Sequence, residues 1–521
     1  MVKYLDNNSG FNQWNANRNA TAKQSGFSGF LWWCILFLAA WWAIGAIMSP
    51  KQTTTDVVEN IPSVDISSVP AGSVSSDKIT ASVQGLRISD VQLSDYTVSG
   101  DSSQQVTLFG ADNNYVEIGL LSNGTAVPVA TTVWQNQGGA YVWRNDSGVE
   151  FTRNISVSDY IITITETINN KSGRDITLAP YVRIVRNNDM ASSSGVETGA
   201  ISYVNSDLEN IPWNKLDKQS YAYSTTYGFT GFADQYWETV ASVERPDQTI
   251  RIKKTGDTYI SDTAVSAVVV PSHQTETIVT RLFVGPRDQS VLNAAQQHIS
   301  GIAETIDYGW FWFLARPMLW LLNAINSLVM NYGVAIIIMT ILLRLLMWPL
   351  TRKSYVSMAA MQKMQPEMQR IQKLYANDKM RLQMEMMKLY QTHKTSPMSG
   401  CLPMLIQIPI FFALYKALLV SVQMRSAHFL WISDLSAMDP YFILPIMMGI
   451  TMWLQQRLQT SQSKSSSNAN DAIARTQQMM RWMPILFTIM FAWMPAGLVL
   501  YWIVSNIFGI IQMEMIKRNN K

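Results

Sequence analysis

The sequence predicts a membrane α-helical bundle of six transmembrane helices, with a large antiparallel β-sandwich outside the cytoplasm and a cytoplasmic helical hairpin. Of its 521 residues, 48% are apolar and 15% charged, a composition too apolar for an ordinary soluble protein. Runs long enough to cross a bilayer occur near the start and throughout the last 190 or so residues. Between them, roughly 230 residues alternate apolar and polar side chains as strands do.

Charge is distributed unevenly along the chain. Residues 51–300 contain 17 Lys and Arg against 27 Asp and Glu, a net charge of −10, whereas the remainder contains 23 against 10, a net charge of +13. Basic membrane segments therefore flank an acidic soluble domain. Cys34 and Cys401 both lie in or beside apolar segments, so no disulfide framework is predicted.

The first apolar segment, residues 30–48, follows a polar tail at residues 1–29. The basic excess of that tail places it in the cytoplasm. The segment is long and no small-x-small cleavage site follows it, so a retained anchor is favoured over a cleavable signal peptide. Residues 49–77 are rich in Ser, Thr, Val and Pro, which predicts a flexible linker.

Residues 78–300 are interpreted as the β-sandwich, which the topology places outside the cytoplasm. Ile162 and Ile164, for example, alternate with Thr163 and Thr165. Short strands of this kind, repeated over such a length, are typical of two packed antiparallel sheets.

The chain contains no sequence motif for catalysis. No phosphate-binding loop, zinc-protease motif or nucleophile elbow occurs in it, and His273 has no acidic or cysteine partner at metal-ligand spacing. We therefore expect no enzymatic activity, no cofactor and no metal site.

Residues 301–332 form an aromatic amphipathic stretch interrupted by Arg316 and Pro317. Its position beside a spanning segment predicts a helix along the outer leaflet of the membrane. The alternative is a helix buried in an aromatic core.

An arginine, Arg344, lies within the apolar segment at residues 333–351. Nineteen residues give about 28 Å of helix, close to the thickness of the hydrocarbon layer. A charge at that depth costs from about 2.5 kcal/mol upward, so the arginine is expected to face water or protein. Thr340, Trp348 and Thr351 lie on the same helical face. The alternative is that Arg344 reaches the cytoplasmic interface or pairs structurally.

Residues 352–400 carry nine basic against three acidic side chains, which predicts a cytoplasmic location. Two helical patterns, Tyr355 to Tyr375 and Lys379 to Thr392, predict a hairpin in which Asp378 caps the second helix. Methionines stripe both helices. They either form the seam of the hairpin or offer an adaptable binding surface.

The remaining apolar segments complete six spans and return the basic tail at residues 516–521 to the cytoplasm. Their polar residues include Gln407, Tyr501 and Ser505, which either line one cavity with Arg344 or form interhelical hydrogen bonds. The predicted segments are transmembrane helices at 401–422 and 441–457, two more at 483–515, a periplasmic loop at 423–440 and a cytoplasmic loop at 458–482.

Several motifs resemble the YidC/Oxa/Alb family of membrane protein insertases in its Gram-negative form. The matching stretches are DYGWFWFLARP from Asp307, RLLMWPLT from Arg344, GCLPMLIQIPIFFALY from Gly400, DLSAMDPYFILPIMMG from Asp434, MPAGLVLYWIVSN from Met494 and TRLFVGP from Thr280. The resemblance covers most of the chain after residue 306.

The resemblance implies a core of five helices around a hydrophilic groove that is open to the cytoplasm and to lipid and closed on the outer side. The groove residues that it implies are Arg344, Thr340, Gln407, Tyr501 and Ser505. Two positions differ from the family pattern or add to it. Trp502 stands where relatives often have a tyrosine, and Lys416 adds a charge that either lines the groove or reaches the outer interface.

The resemblance also implies function and partners. It implies an insertase and chaperone of the bacterial inner membrane that acts on nascent membrane proteins within the lipid bilayer. Implied partners are the Sec translocon, the ribosome and the signal-recognition targeting machinery, with Asp378, Lys379 and Arg381 of the hairpin as docking residues. No specific nucleic-acid site is expected. The alternative is a secondary transporter with an intramembrane charged site, but such proteins usually show repeated halves, and no repeat is found.

Overall fold

The structure is a computed structural model that describes residues 64–98, 101–110, 114–187, 198–376, 378–393, 402–460 and 482–519. The predicted cytoplasmic tail, the anchor at 30–48 and most of the loop at 458–482 lie outside the described residues.

Two antiparallel sheets form the first half of the described chain. One sheet has the strand order β1-β2-β3-β5-β10-β17-β16-β13, with β4 on β3 and β18 on β10. The other has the order β12-β11-β14-β15-β19-β9-β8-β7-β6. The strands are β1 Ala71–Ser75, β2 Ile79–Gln84, β3 Arg87–Val98, β4 Asp101–Leu108, β5 Tyr115–Ser122, β6 Gln135–Gln137, β7 Ala140–Arg144, β8 Val149–Ser158, β9 Ile161–Asn170, β10 Ile176–Asn187, β11 Gly199–Val204, β12 Asp207–Pro212, β13 Tyr221–Thr225, β14 Gly228–Ala233, β15 Trp237–Val243, β16 Gln248–Thr255, β17 Thr258–Val265, β18 Val268–Val270 and β19 Thr275–Pro286.

The two sheets share one apolar core, as the alternation of side chains predicts. Ile162 and Ile164 are buried, whereas Thr163 and Thr165, which alternate with them, are half-exposed. Residues from both sheets contribute to the same hydrophobic cluster, in which the largest fully buried side chains include Phe229, Phe232 and Phe283. The prediction of a large antiparallel β-sandwich is confirmed.

A buried arginine joins the two sheets. Arg153 in β8 pairs with Glu166, which lies opposite it on β9. The same guanidinium donates a hydrogen bond of 2.6 Å to the carbonyl oxygen of Ile118 in β5 of the other sheet. A buried charge is tolerated only when it is paired and hydrogen-bonded, and both conditions hold here.

The predicted linker at residues 49–77 is too long at its carboxyl-terminal end. Residues 71–75 form β1, an edge strand paired antiparallel with β2. Gly72 and Val74 are half-buried, and the three residues that alternate with them are exposed. The composition suggested a linker, but this short alternation is enough for one sheet edge.

Helices form most of the remaining described chain. They are α1 Trp213–Leu216, α2 Gln289–Ala295, α3 Trp312–Val329, α4 Tyr332–Leu346, α5 Trp348–Leu374, α6 Lys379–Thr392, α7 Leu402–Val420, α8 Ile443–Thr460, α9 Trp482–Phe491 and α10 Ala496–Asn519. Helix α10 contacts α4, α5, α7 and α8, and α3 contacts α4 and α7. Helix α6 has the bounds of the predicted second hairpin helix, Lys379 to Thr392. Helix α3 lies within the predicted stretch 301–332 but begins only at Trp312, and its location along the outer leaflet stays a prediction.

The predicted span at residues 333–351 is not one continuous helix. Helix α4 ends at Leu346, and α5 begins at Trp348 after a bend of 62°. Pro349 lies in the first turn of α5, where its missing N–H is harmless, whereas inside one continuous helix it would leave the carbonyl one turn earlier without its bond. Arg344 therefore lies in the last turn of α4, and Trp348 and Thr351 belong to a different helix.

Within the described residues, one helix is long and apolar enough to cross a membrane by itself, namely Ala496–Ile516. The bent pair Tyr332–Leu346 and Trp348–Ser357 is a second candidate if it is counted as one span. Gln407–Val420 and Trp482–Phe491 are shorter apolar helices. The count of six spans remains a prediction.

Candidate functional site

Arg344 meets α10 through the hydroxyl of Ser505. Its Nε donates to Ser505 Oγ at 2.8 Å, and its Nη2 donates to the same oxygen. Ser505 is buried, whereas Arg344 is half-buried. No carboxylate of the described chain lies within ion-pair distance of this guanidinium, so its charge is oriented but not neutralised.

A second pair lies one turn earlier on α10. Gln407 Nε2 in α7 donates to the hydroxyl of Tyr501 at 2.6 Å, and Tyr501 is buried. Tyr501 and Ser505 are four residues apart, so they lie on the same face of α10. The structure thus brings four of the five predicted groove residues together.

Thr340 is the fifth predicted groove residue, and it takes no part in these pairs. It is fully buried, and its hydroxyl donates to the carbonyl oxygen of Ile336 in its own helix at 2.6 Å. A hydroxyl in this position satisfies its own hydrogen bond and is shielded from solvent.

Other polar residues of the helices connect helices or satisfy their own backbone. Asn506 Nδ2 donates to Thr451 Oγ1 at 3.2 Å, joining α10 to α8. Thr488 donates to Pro484 O in α9. At Gly449, an added Cβ would lie 2.1 Å from Thr488 Oγ1, so only glycine permits α8 and α9 to approach this closely. Of these contacts, the Asn506–Thr451 hydrogen bond fits the predicted alternative of interhelical hydrogen bonds.

Lys416 has its own partner. Its ammonium lies 2.9 Å from the carboxylate of Asp307, in the segment before α3. Burial by itself raises the pKa of the Asp307 carboxyl. The hydrogen bond and the positive charge of Lys416 together outweigh this effect, so the pKa lies below its ordinary value. Asp307 begins the stretch DYGWFWFLARP, but a partner more than a hundred residues away leaves no local sequence signal.

Trp502 fills an aromatic cluster. Its ring lies 5.4 Å from Phe411, 5.1 Å from Phe491 and 6.1 Å from Phe487, between ring centroids. These distances are typical of aromatic packing. Trp502 therefore joins α7, α9 and α10.

The predicted docking residues lie at the start of α6. The Asp378 carboxylate accepts a hydrogen bond from the backbone N–H of Arg381 at 3.1 Å, as a helix cap does. The Arg381 guanidinium lies 5.6 Å from the ring centre of Tyr375. Lys379 is the first residue of the helix. On α6, Met380, Met384 and Met387 are exposed.

Sequence reasoning missed the contacts between the sandwich and the helical part. Gln235 Nε2 donates to the carbonyl oxygen of Leu419 at 2.9 Å. Arg425 donates to Thr97 O at 2.8 Å, and its guanidinium lies 5.3 Å from the ring centre of Trp237. Burial lowers the pKa of Arg425.

Helix α3 exposes large apolar side chains. Trp312, Phe313, Trp320 and Leu328 are more than half exposed. Arg316 lies within 5.6 Å of the ring centres of Tyr308 and Trp312. Exposed aromatic and aliphatic side chains of this density mark a surface that contacts lipid or another protein.

The described residues contain no group of three His, Cys, Asp or Glu side chains that could hold a metal ion. What the arrangement around Arg344 offers is an oriented cation, hydroxyls and an amide between apolar helices. Such a set can attract and hydrogen-bond a polar chain.

Two family models match consecutive parts of the chain. The YidC periplasmic domain matches residues 73–321, and the 60Kd inner membrane protein family matches residues 324–521. The membrane protein insertase YidC of Magnetococcus marinus is 36% identical over 465 residues, covering 84% of this chain and 81% of that protein. The insertase YidC of Geobacter sulfurreducens is also 36% identical over 465 residues, covering 85% and 84%.

A crystal structure of an active YidC insertase with its first transmembrane domain resolved aligns with 86% of this chain and 94% of its own. It is 19% identical, with a TM-score of 0.37. The sequence relatives extend over most of both chains at 36% identity, and the two family models together reach from the sandwich to the carboxyl terminus. The chain therefore belongs to the YidC family of membrane protein insertases.

Proposed function

We propose that this inner-membrane protein inserts client proteins by moving their short polar tails through a hydrophilic groove and releasing their apolar segments into lipid. The observation that carries the proposal is Arg344, a cation held at Ser505 without a described carboxylate partner. A buried or half-buried charge is normally paired, so an unneutralised one suits a transient anionic ligand.

The groove lowers the barrier for a polar tail. Crossing about 30 Å of hydrocarbon would leave every backbone polar group of the tail unsatisfied, whereas hydroxyls, amides and water in a groove hydrogen-bond to them. Arg344 attracts acidic side chains, and the membrane potential contributes about 2.3 kcal/mol per charge per 100 mV. No nucleotide is needed for this step.

Release follows from hydrophobic partitioning. Each CH₂ that moves from water into lipid contributes about 0.8 kcal/mol, so about twenty such groups exceed the cost of moving a short polar tail. The same groove shields partly inserted segments, which is the chaperone role. The exposed aromatic side chains of α3 suit a helix at the outer interface.

For topology we propose six spans, with both termini and the α5–α6 hairpin in the cytoplasm and the sandwich in the periplasm. The support is the charge distribution of the sequence, nine basic against three acidic residues over 352–400. The exposed methionines of α6 and the capped start of that helix at Asp378, Lys379 and Arg381 would then face cytoplasmic partners, for which we propose the ribosome, the targeting machinery and the Sec translocon.

The test is reconstitution of the full-length protein in lipid vesicles with a single-span client, scored by protection of the client's tail from protease. We expect protected tails with the native protein and few with Arg344→Ala, most clearly for acidic tails. Arg518→Ala is the matched control, because that side chain is 79% exposed and pairs only along its own helix. No protected tail with the native protein would refute insertion, and solute uptake instead would favour the transporter.

Docking has its own test. Deleting residues 362–386 removes the tip of the hairpin. We expect this variant to insert ribosome-bound clients more slowly. We expect the melting temperature of its other helices to be unchanged. Unchanged insertion kinetics would show that the hairpin acts only as a spacer.

A further inference from the structure

Helix α10 carries a stripe that extends beyond the pairs described above. Tyr501, Ser505, Gly509 and Gln512 are spaced by four, four and three residues, which places them on one face of the helix. Eleven residues of helix correspond to about 16 Å. The stripe therefore runs from the Arg344 site toward the basic carboxyl-terminal end of the chain.

The third position of the stripe, Gly509, has no Cβ, which lets side chains of other helices approach α10 closely. An added Cβ at Gly509 would lie 2.9 Å from Gln455 Nε2 in α8 and 3.5 Å from Tyr355 Oη in α5. Polar groups of two other helices thus converge on α10 one turn beyond Ser505. The polar lining continues past Arg344.

The fourth position, Gln512, differs from the others. Its side chain is 1% exposed, and neither its Nε2 nor its Oε1 has a hydrogen-bond partner in the described part of the chain. It lies beside a small apolar cluster formed by Tyr355, Met513 and Ile516. Buried amides are nearly always paired, so an unpaired one requires an explanation.

We propose that Gln512 binds the polypeptide backbone of a client's polar tail as the tail enters the groove. A carboxamide has a donor N–H and an acceptor oxygen, the same pair that each peptide unit presents. Arg344, in contrast, has only donors and a full charge. A tail in the groove is then held by two contacts. The contact at Gln512 does not depend on the charge of the tail, and the contact at Arg344 does.

Access to Gln512 requires a small movement. Helix α5 contacts α10 and carries Tyr355 toward the stripe, and α5 is joined to α4 by the single residue Met347. Tyr355 of α5 and Met513, the residue after Gln512, belong to one buried cluster, so displacement of α5 from α10 would open the surroundings of Gln512 to an entering chain. This inference rests on the proposed insertase function.

The test is Gln512→Leu in the full-length protein. Replacing an unpaired buried amide by an apolar side chain of similar size is expected to raise the melting temperature by about 2–4 °C. Insertion is expected to fall about two- to tenfold, equally for acidic and neutral tails, because one neutral hydrogen bond is lost. Met513→Leu is the matched control, a buried neighbour changed at constant volume, and it should insert clients normally.

Three results would overturn the inference. They are unchanged insertion in Gln512→Leu, a loss confined to acidic tails, or a lower melting temperature, which would identify a structural hydrogen bond such as one to a buried water. Arg344→Ala in the same assay separates the two proposals. If it impairs acidic tails while Gln512→Leu does not impair insertion, only the inference about Gln512 fails; if neither variant changes insertion, the groove itself is wrong.

Discussion

The ammonium of Lys416 and the carboxylate of Asp307 form an ion pair that connects α7 to the segment before α3. The Asp307 side chain is 53% exposed, so water screens the pair and its contribution to stability is modest, at most about 1 kcal/mol. Lys416 is thereby occupied away from Arg344.

Lys416→Gln should therefore leave insertion unchanged for acidic and neutral tails, with a small decrease in melting temperature. The measurement is the protease-protection assay beside thermal unfolding in detergent. A selective loss for acidic tails would place Lys416 in the groove instead.

Ser505→Ala tests whether Arg344 attracts clients by its charge or only holds helices together. Removing the hydroxyl leaves the Arg344 guanidinium charged, so insertion of acidic tails should stay within about twofold of native, while stability falls by about 1–3 kcal/mol. Arg344→Lys should likewise keep much of the activity, because an ammonium still attracts carboxylates. If Ser505→Ala loses as much insertion as Arg344→Ala, the role of Arg344 is structural.

Thr340→Val tests whether the fifth predicted groove residue contacts clients. Its hydroxyl is fully buried and bonded within its own helix, so the substitution should change insertion by less than about twofold and stability by about 1 kcal/mol or less. A strong insertion defect in a stable variant would return Thr340 to the groove.

Glu238 in β15 predicts a pH dependence. It is buried, with Arg287 Nε at 3.4 Å, and burial raises the pKa of its carboxyl to about 7 although the Arg287 charge opposes this. Between the unfolded pKa of 4.5 and about 7, the folded state keeps a proton that the unfolded state releases. This group's contribution to stability therefore falls as pH rises through that window and is constant above it.

Glu238→Gln removes this titration. The free energy of unfolding of the variant relative to the native protein should increase from pH 5 to pH 8, by at most about 3 kcal/mol. Thermal or denaturant unfolding of the full-length protein at several pH values measures it. A difference that is constant with pH would show that Glu238 is ionised throughout.

Topology is tested by single cysteines in a chain whose own two cysteines are replaced. A cysteine at Ser147, an exposed turn of the sandwich, should react with an impermeant reagent from outside the inner membrane, whereas one at Gln383 in α6 should react only after that membrane is opened. Outside labelling at Gln383 would contradict the six-span arrangement.

Patterns of local origin were predictable from the sequence. The alternation around Ile162 predicted β9, and Asp378 predicted the start of α6, because side-chain period and helix capping act over a few residues. The family motifs implied one site for Arg344, Thr340, Gln407, Tyr501 and Ser505. The structure joins four of them in two hydrogen-bonded pairs, whereas Thr340 bonds within its own helix.

Features that depend on distant partners or on competing local rules were not predictable. The pairing of Lys416 with Asp307 and of Arg425 with Thr97 joins positions far apart in the chain. The bend between α4 and α5 had a signal in Pro349, but continuous hydrophobicity on both sides outweighed it in the interpretation. The strand β1 was hidden by a composition typical of linkers.

Because α5 begins directly after the bend at Met347, a change in the bend angle moves the far end of the helix most. Its 27 residues extend about 40 Å, so a rotation of about 5° at the bend displaces the far end by about 3.5 Å. Met347 lies three residues from Arg344, and the far end of α5 leads into α6. Any rotation of α5 about Met347 would therefore be much larger at the hairpin than at the turn of α4 that contains Arg344.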